Sequence, residues 1–209
     1  MNGAEYRSVL QKGESVFEDR KSEFFSFAAP VGNEDEAIAF VRGIRAAYPD
    51  ARHCVYAYIL RENNAMRYTD DGEPQGTAGM PTLDAMRKRG ITDCVVATVR
   101  YFGGILLGTG GLVHAYTAAA SAALAAAIPV TYATYCFGIW SFSYADHCRL
   151  LPLLANYDAR AEKTEFTDTV TVTVSVPLSR NEEWKRAVTD ATGGRAVLLS
   201  EEKKFDYRK

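Results

Sequence analysis

Apolar and polar residues alternate along "EYRSVL", "ESVFED" and "SEFFSFAAPV" in the first thirty residues, the period of half-buried strands, and predict a strand meander. The period then lengthens across "NEDEAIAFVRGIRAAYPD", which predicts a helix. Asn33 is a good N-cap with Glu36 three residues on, and Pro49 marks the exit. "HCVYAYIL" at 53–60 reads as a strand, the acidic Gly/Pro stretch after it as a loop, 80–89 as a short amphipathic helix and "DCVVATVRYF" as a buried strand. The alanine-dense "LVHAYTAAASAALAAAI" predicts a slim helix, placed at 111–127 after a glycine loop and ended by Pro129.

Beyond that point the pattern restarts. "YCFGIWSFSY" (strand), "DHCRLLPLLANY" (helix), "ARAEKTEF" and "TDTVTVTVSVPL" (strands), "RNEEWKRAVTDA" (helix) and "RAVLLSEEKKF" (strand) follow in order. That succession, βαββαβ, is the ferredoxin-like arrangement and is complete in itself. The expectation is therefore a two-domain α+β chain, 1–130 followed by 131–209, with the threonines and serine of 169–176 as a solvent-facing stripe.

Composition narrows the function. With 209 residues and 47% of them hydrophobic, the chain can bury substantial cores. No apolar run approaches the ~20 residues that span a bilayer, and the first twenty residues lack a secretory apolar segment, so no membrane and a cytoplasmic location are expected. Cys54, Cys94, Cys136 and Cys148 show no CxxC spacing and read as reduced structural thiols. Net charge is −2, and neither half has the basic excess of a dedicated duplex-DNA binder.

Two stretches carry the candidate chemistry. In "DDGEPQGTAG" (70–79), Asp70, Asp71, Gly72, Glu73, Pro74, Gly76 and Thr77 suit either a turn closed by side-chain bonds or a polar binding surface. The carboxylates lack EF-hand spacing. In "RYFGGILLGTGG" (100–111), Gly103, Gly104, Gly108, Gly110 and Gly111 stand between a strand and a helix, where backbone amides can receive an anion or simply turn the chain.

Neither nucleotide-binding motif is completed. Walker A fails for want of its lysine, and GxGxxG fails because Val113 occupies its third glycine position. Arg100, Tyr101 and Phe102 combine a phosphate partner with stacking faces, or else close a core strand. His53, His114 and His147 lack metal-ligand spacing and read as local packing or surface residues, and no metal or cofactor is expected.

"KSEFFSFAAPV", "ARHCVYAYIL", "DDGEPQGTAGMP" and "VRYFGGILLGTGGLVHAYTAA" closely resemble the IMPACT/YigZ family across most of 21–120. The resemblance implies a first domain with the fold of ribosomal protein S5 domain 2, an α/β sandwich, and a small ferredoxin-like second domain. Eukaryotic members are implied to regulate translation by competing for a protein partner. For this chain the resemblance implies a non-catalytic binding protein contacting RNA, the ribosome or a translation-associated protein. The alternative is an enzyme or binding protein for an anionic, phosphorylated small molecule or nucleotide that uses the acidic and glycine-rich loops. Where the family usually carries arginine in "GGLVRAY" this chain has His114, which exchanges a permanent charge for a titrating one.

Overall fold

In the computed structural model, which describes residues 5–208, the chain divides into two compact units, Tyr6–Thr131 and Tyr132–Arg208. Residues 1–4, part of the stretch read for a secretory segment, lie outside the described residues.

In the first unit β1 (Tyr6–Val9), β2 (Gly13–Asp19) and β3 (Ser22–Pro30) precede α1 (Glu34–Ala47). Then come β4 (His53–Ile59), β5 (Met66–Thr69), α2 (Gly79–Arg87), β6 (Cys94–Tyr101) and α3 (Gly108–Ala126). Strands β2-β3-β6-β4-β5 form one antiparallel sheet in that order. The expected three-strand meander is thus a hairpin, because β1 lies outside this sheet. Strand β5 at the sheet edge was not anticipated: "MRYT" has too few apolar residues to signal a strand and gains its order by pairing with β4.

Alternation sorts the side chains between two layers of helix. Phe27, Ala29, Cys54, Tyr58, Val95, Ala97 and Val99 pack under α1. Ala28, Ala57, Cys94 and Val96 pack against α2 and α3, and Phe24 and Val55 extend this layer toward Leu112, Ala115 and Tyr116. Helix α1 starts where expected: Asn33 accepts from the Glu36 amide at 2.9 Å, while the Glu36 carboxylate accepts from Gly32 N at 2.7 Å. The Glu36 bond thus reaches one residue beyond the usual capping-box partner.

Helix α3 begins at Gly108, three residues before its expected start, so Gly108, Gly110 and Gly111 belong to its first turn. The connecting segment shortens to 102–107. Glycine does not disqualify a first turn flanked by the buried Leu107 and Leu112.

In the second unit, β7 (Pro129–Phe142, beginning just ahead of it), α4 (Tyr144–Asn156), β8 (Arg160–Phe166), β9 (Val170–Pro177), α5 (Asn181–Thr192) and β10 (Val197–Arg208) follow the expected βαββαβ order. β7 lies between β10 and β9, with β8 beyond β9, which is the ferredoxin-like order. Val170, Val172, Val174 and Val176 face the core with Trp140, Phe142 and Trp184. The expected solvent stripe is realised at three of its four positions: Thr169 is exposed and Thr171 and Thr173 are partly exposed, but Ser175 is buried and bonds Glu162.

Candidate functional site

The acidic loop directs its charge inward. Asp70 accepts from the amides of Gly76 (2.8 Å), Ala78 (3.0 Å) and Gly79 (2.8 Å), so it caps α2 from eight or nine residues upstream. The N-cap position, Ala78, has no side chain able to do this. Asp71 accepts from Cys54 N and pairs with Arg45, both at 2.6 Å, and holds φ at 43°, a left-handed value that Asp tolerates. Pro74 O accepts from Thr77 Oγ1 at 2.6 Å. Gly72 lies over the His53 ring, and its positive φ turns the chain there.

Glu73 ties this loop to the sheet. Arg100 Nη1 donates to both of its carboxylate oxygens, at 2.8 and 3.0 Å, and Tyr116 Oη on α3 donates to one of them at 2.8 Å. All three side chains are buried. Burial and the adjacent Glu73 carboxylate raise the Tyr116 hydroxyl far above its ordinary pKa, which keeps it a donor. Arg100 lies between the rings of Phe24 and Phe102, 5.5 and 5.6 Å from their centroids, and Nη2 approaches Ser22 Oγ at 3.5 Å. Its Nε is buried without an acceptor among the described residues.

The 102–107 segment behaves differently. Gly103 passes so close to the β2–β3 turn that an added Cβ would lie 2.0 Å from the backbone of Lys21, and Ser22 Oγ accepts from its amide at 3.2 Å. Arg20 donates to Leu106 O at 3.3 Å. With its backbone pinned, the segment still presents Phe102 (53% exposed), Ile105 and Leu106 (81% exposed) to solvent.

Between these features lies a cleft of about 180 Å³ lined by Arg52, His53, Arg100, Phe102 and Leu106. The register explains it: His53 on β4 and Phe24 on β3 flank Arg100 on β6, and all three point to the α2/α3 face. Arg52, exposed just before β4, makes no ion pair among the described residues.

Asp70, Asp71, Gly72, Glu73, Pro74, Gly76 and Thr77 form a loop whose carboxylates are bonded within the protein, while Arg100 and Phe102 line the cleft. Tyr101 turns to the opposite face, against Phe25. Gly103 and Gly104 shape the connecting segment, Gly108, Gly110 and Gly111 open α3, and exposed His114 packs edge-on to Phe17. Arg100 and Glu73, expected as donor and acceptor toward a partner, bond each other.

Arg52 and Leu106 were missed. His53, read as packing, lines the cleft, and the adjacent "RH" at the start of a strand was the available signal.

A larger cavity in the second unit, about 770 Å³, is lined by Leu178, Asn181, Glu182, Lys185, Glu201 and Lys203. Its polar groups are largely satisfied: Glu201 binds Lys185 and Asn181, at 2.5 and 2.7 Å. Among the described residues no cluster of three His, Cys, Asp or Glu is placed to hold a metal, and no helix is long and apolar enough to cross a membrane. All four cysteines are free. Burial raises the pKa of Cys54 and Cys136 and pushes Cys94 up to about 12, which leaves these thiols unreactive.

The fold and the cleft define a two-domain α+β protein with a cationic, aromatic recess on its first domain. Residues 20–124 match the Impact N-terminal domain, and 141–195 match a domain of unknown function (DUF1949). The chain is 33% identical over 194 residues to IMPACT family member YigZ of Escherichia coli (strain K12), covering 88% of this chain and 92% of that one. It is 46% identical over 105 residues to the IMPACT family member in pol 5'region of Thermus thermophilus, covering 50% and 56% of the two chains. A solved structure of a hypothetical protein, 30% identical, superposes with a TM-score of 0.59 over 96% of this chain and 98% of that one. The chain belongs to the IMPACT family.

Proposed function

We propose that this is a non-catalytic, cytoplasmic binding protein that contacts single-stranded RNA in a translation-associated setting, through the cleft and the 102–107 segment. One observation carries the reading. An unpaired Arg52 and a half-exposed Phe102 share a cleft whose neighbouring carboxylates, Asp70, Asp71 and Glu73, are all engaged internally.

A phosphate oxygen meets a cation without a competing acid, and a base can stack on the ring face that Arg100 leaves open. Ile105, exposed next to the cleft-lining Leu106, extends the contact beyond the cleft and favours a polymer over a small phosphorylated molecule. Reduced thiols suit a cytoplasmic location.

The test is binding of labelled single-stranded RNA, and of purified ribosomes, to the native chain and to Arg52→Ala and Phe102→Ala. Loss of one stacked base should weaken RNA binding about ten-fold in Phe102→Ala. Arg52→Ala should flatten the salt dependence by about 0.7 log units per decade, the share of one phosphate. RNA binding unchanged in both variants refutes the reading.

A further inference from the structure

His53 has one ring nitrogen committed and one available. Its Nδ1 lies 2.7 Å from the carbonyl oxygen of Asp71. A carbonyl only accepts, so Nδ1 carries the proton, and in the neutral ring Nε2 is an acceptor. The Nδ1 edge is closed by Gly72, where an added Cβ would lie 3.3 Å from Nδ1 and 3.4 Å from Cε1. No donor among the described residues bonds Nε2, although the residue lines the cleft.

Beside it Arg100, 7% exposed, keeps a buried Nε without an acceptor. The cleft therefore combines an unfilled donor group on Arg52, one acceptor on His53 and a ring face on Phe102. A phosphodiester alone would use the Arg52 donors and leave the acceptor idle. A ligand that also brings a hydroxyl donor completes the set.

We propose that the cleft holds one ribonucleotide unit of single-stranded RNA, with a phosphate oxygen on Arg52, the base against Phe102 and the 2′-hydroxyl donating to His53 Nε2. This deepens the binding reading above and rests on it. His53 then makes the protein selective for ribose, because a deoxyribose strand brings no hydroxyl and leaves Nε2 unpaired.

The experiment compares the full chain's affinity for three labelled 12-mers of one sequence: RNA, DNA and 2′-O-methyl RNA. The methylated strand keeps the oxygen but loses the donor. RNA should bind about ten-fold tighter than either, as expected for one hydrogen bond to a group otherwise left unpaired. His53→Asn retains an N–H placed to reach the Asp71 carbonyl but removes the Nε2 acceptor, and should bring the RNA-to-DNA affinity ratio to about one.

Equal affinity for RNA and 2′-O-methyl RNA, or a preference that survives in folded His53→Asn, overturns the proposal and leaves RNA binding intact. If His53→Asn does not fold, the methylated strand on the native chain decides alone. Failure of all three strands to bind removes the broader reading as well, and this proposal with it.

Discussion

The 70–79 loop and the 102–107 segment stand side by side in the first unit and solve opposite problems. The former concentrates three carboxylates in four residues and uses every one internally: Asp70 for the start of α2, Asp71 for Cys54 N and Arg45, Glu73 for Arg100 and Tyr116. The latter has hardly a polar side chain and is pinned by backbone contacts at Gly103 and Leu106, yet it leaves Phe102 and Leu106 in solvent. Density of charge marked a loop that supports the fold. Exposure of apolar side chains on a fixed backbone marks the surface left over for a partner.

The contrast is broken most severely at Arg100. Arg100→Ala strands the Glu73 carboxylate in the interior and should cost about 3–5 kcal/mol in urea denaturation. A loss below about 1 kcal/mol would mean that the pair does not hold the loop to the sheet. Asp70→Ala removes three amide partners and the cap of α2; about 2 kcal/mol should be lost, with Asp70→Asn recovering part of it.

Leu106→Ser should move stability by no more than about 0.5 kcal/mol, since it replaces a solvent-exposed side chain. Its effect should be on RNA affinity alone. Retained stability with weaker RNA binding in Asp70→Ala, or a marked loss of stability in Leu106→Ser, would reverse the roles assigned to the two regions.

A last test carries the contrast into the second unit, where Asp146 is another inward-directed carboxylate. Bonds from Arg195, first, and from Ser143 hold its pKa at about 2, below the ordinary 3.8. A depressed carboxylate contributes stability that is complete above the unfolded value and is lost as pH falls through the folded one. Thermal unfolding of the second unit should therefore lose an increment between about pH 4 and pH 2, and Asp146→Asn should lack that increment.

Much of the architecture was legible from local rules. Asn33 and Glu36 announced the start of α1, alternate valines announced β9, and the βαββαβ restart after Pro129 identified the ferredoxin-like unit. Edge strand β5 was illegible because its partner, β4, supplies the order. The start of α3 was illegible because its first turn is glycine-rich and largely exposed, and only the buried Leu107 and Leu112 on either side of it join the core.

The candidate site divides along the same line. The turn chemistry of Asp70, Gly72, Pro74 and Gly76 was one of two local readings, and the sequence alone could not choose between them. Arg52, His53, Arg100 and Leu106 are scattered over more than fifty positions, and strand register alone sets His53 opposite Arg100.

By itself, then, the sequence determined the periodic elements, the fold class of both units and the two motifs that place the chain in its family. These depend on spacing, capping and propensity over a few residues. Only the tertiary structure decided which charges cancel and which remain available. Whether Arg100 meets a ligand or Glu73 depends on which side chain lies 2.8 Å away, and that is set by the packing of a loop 27 residues distant in sequence.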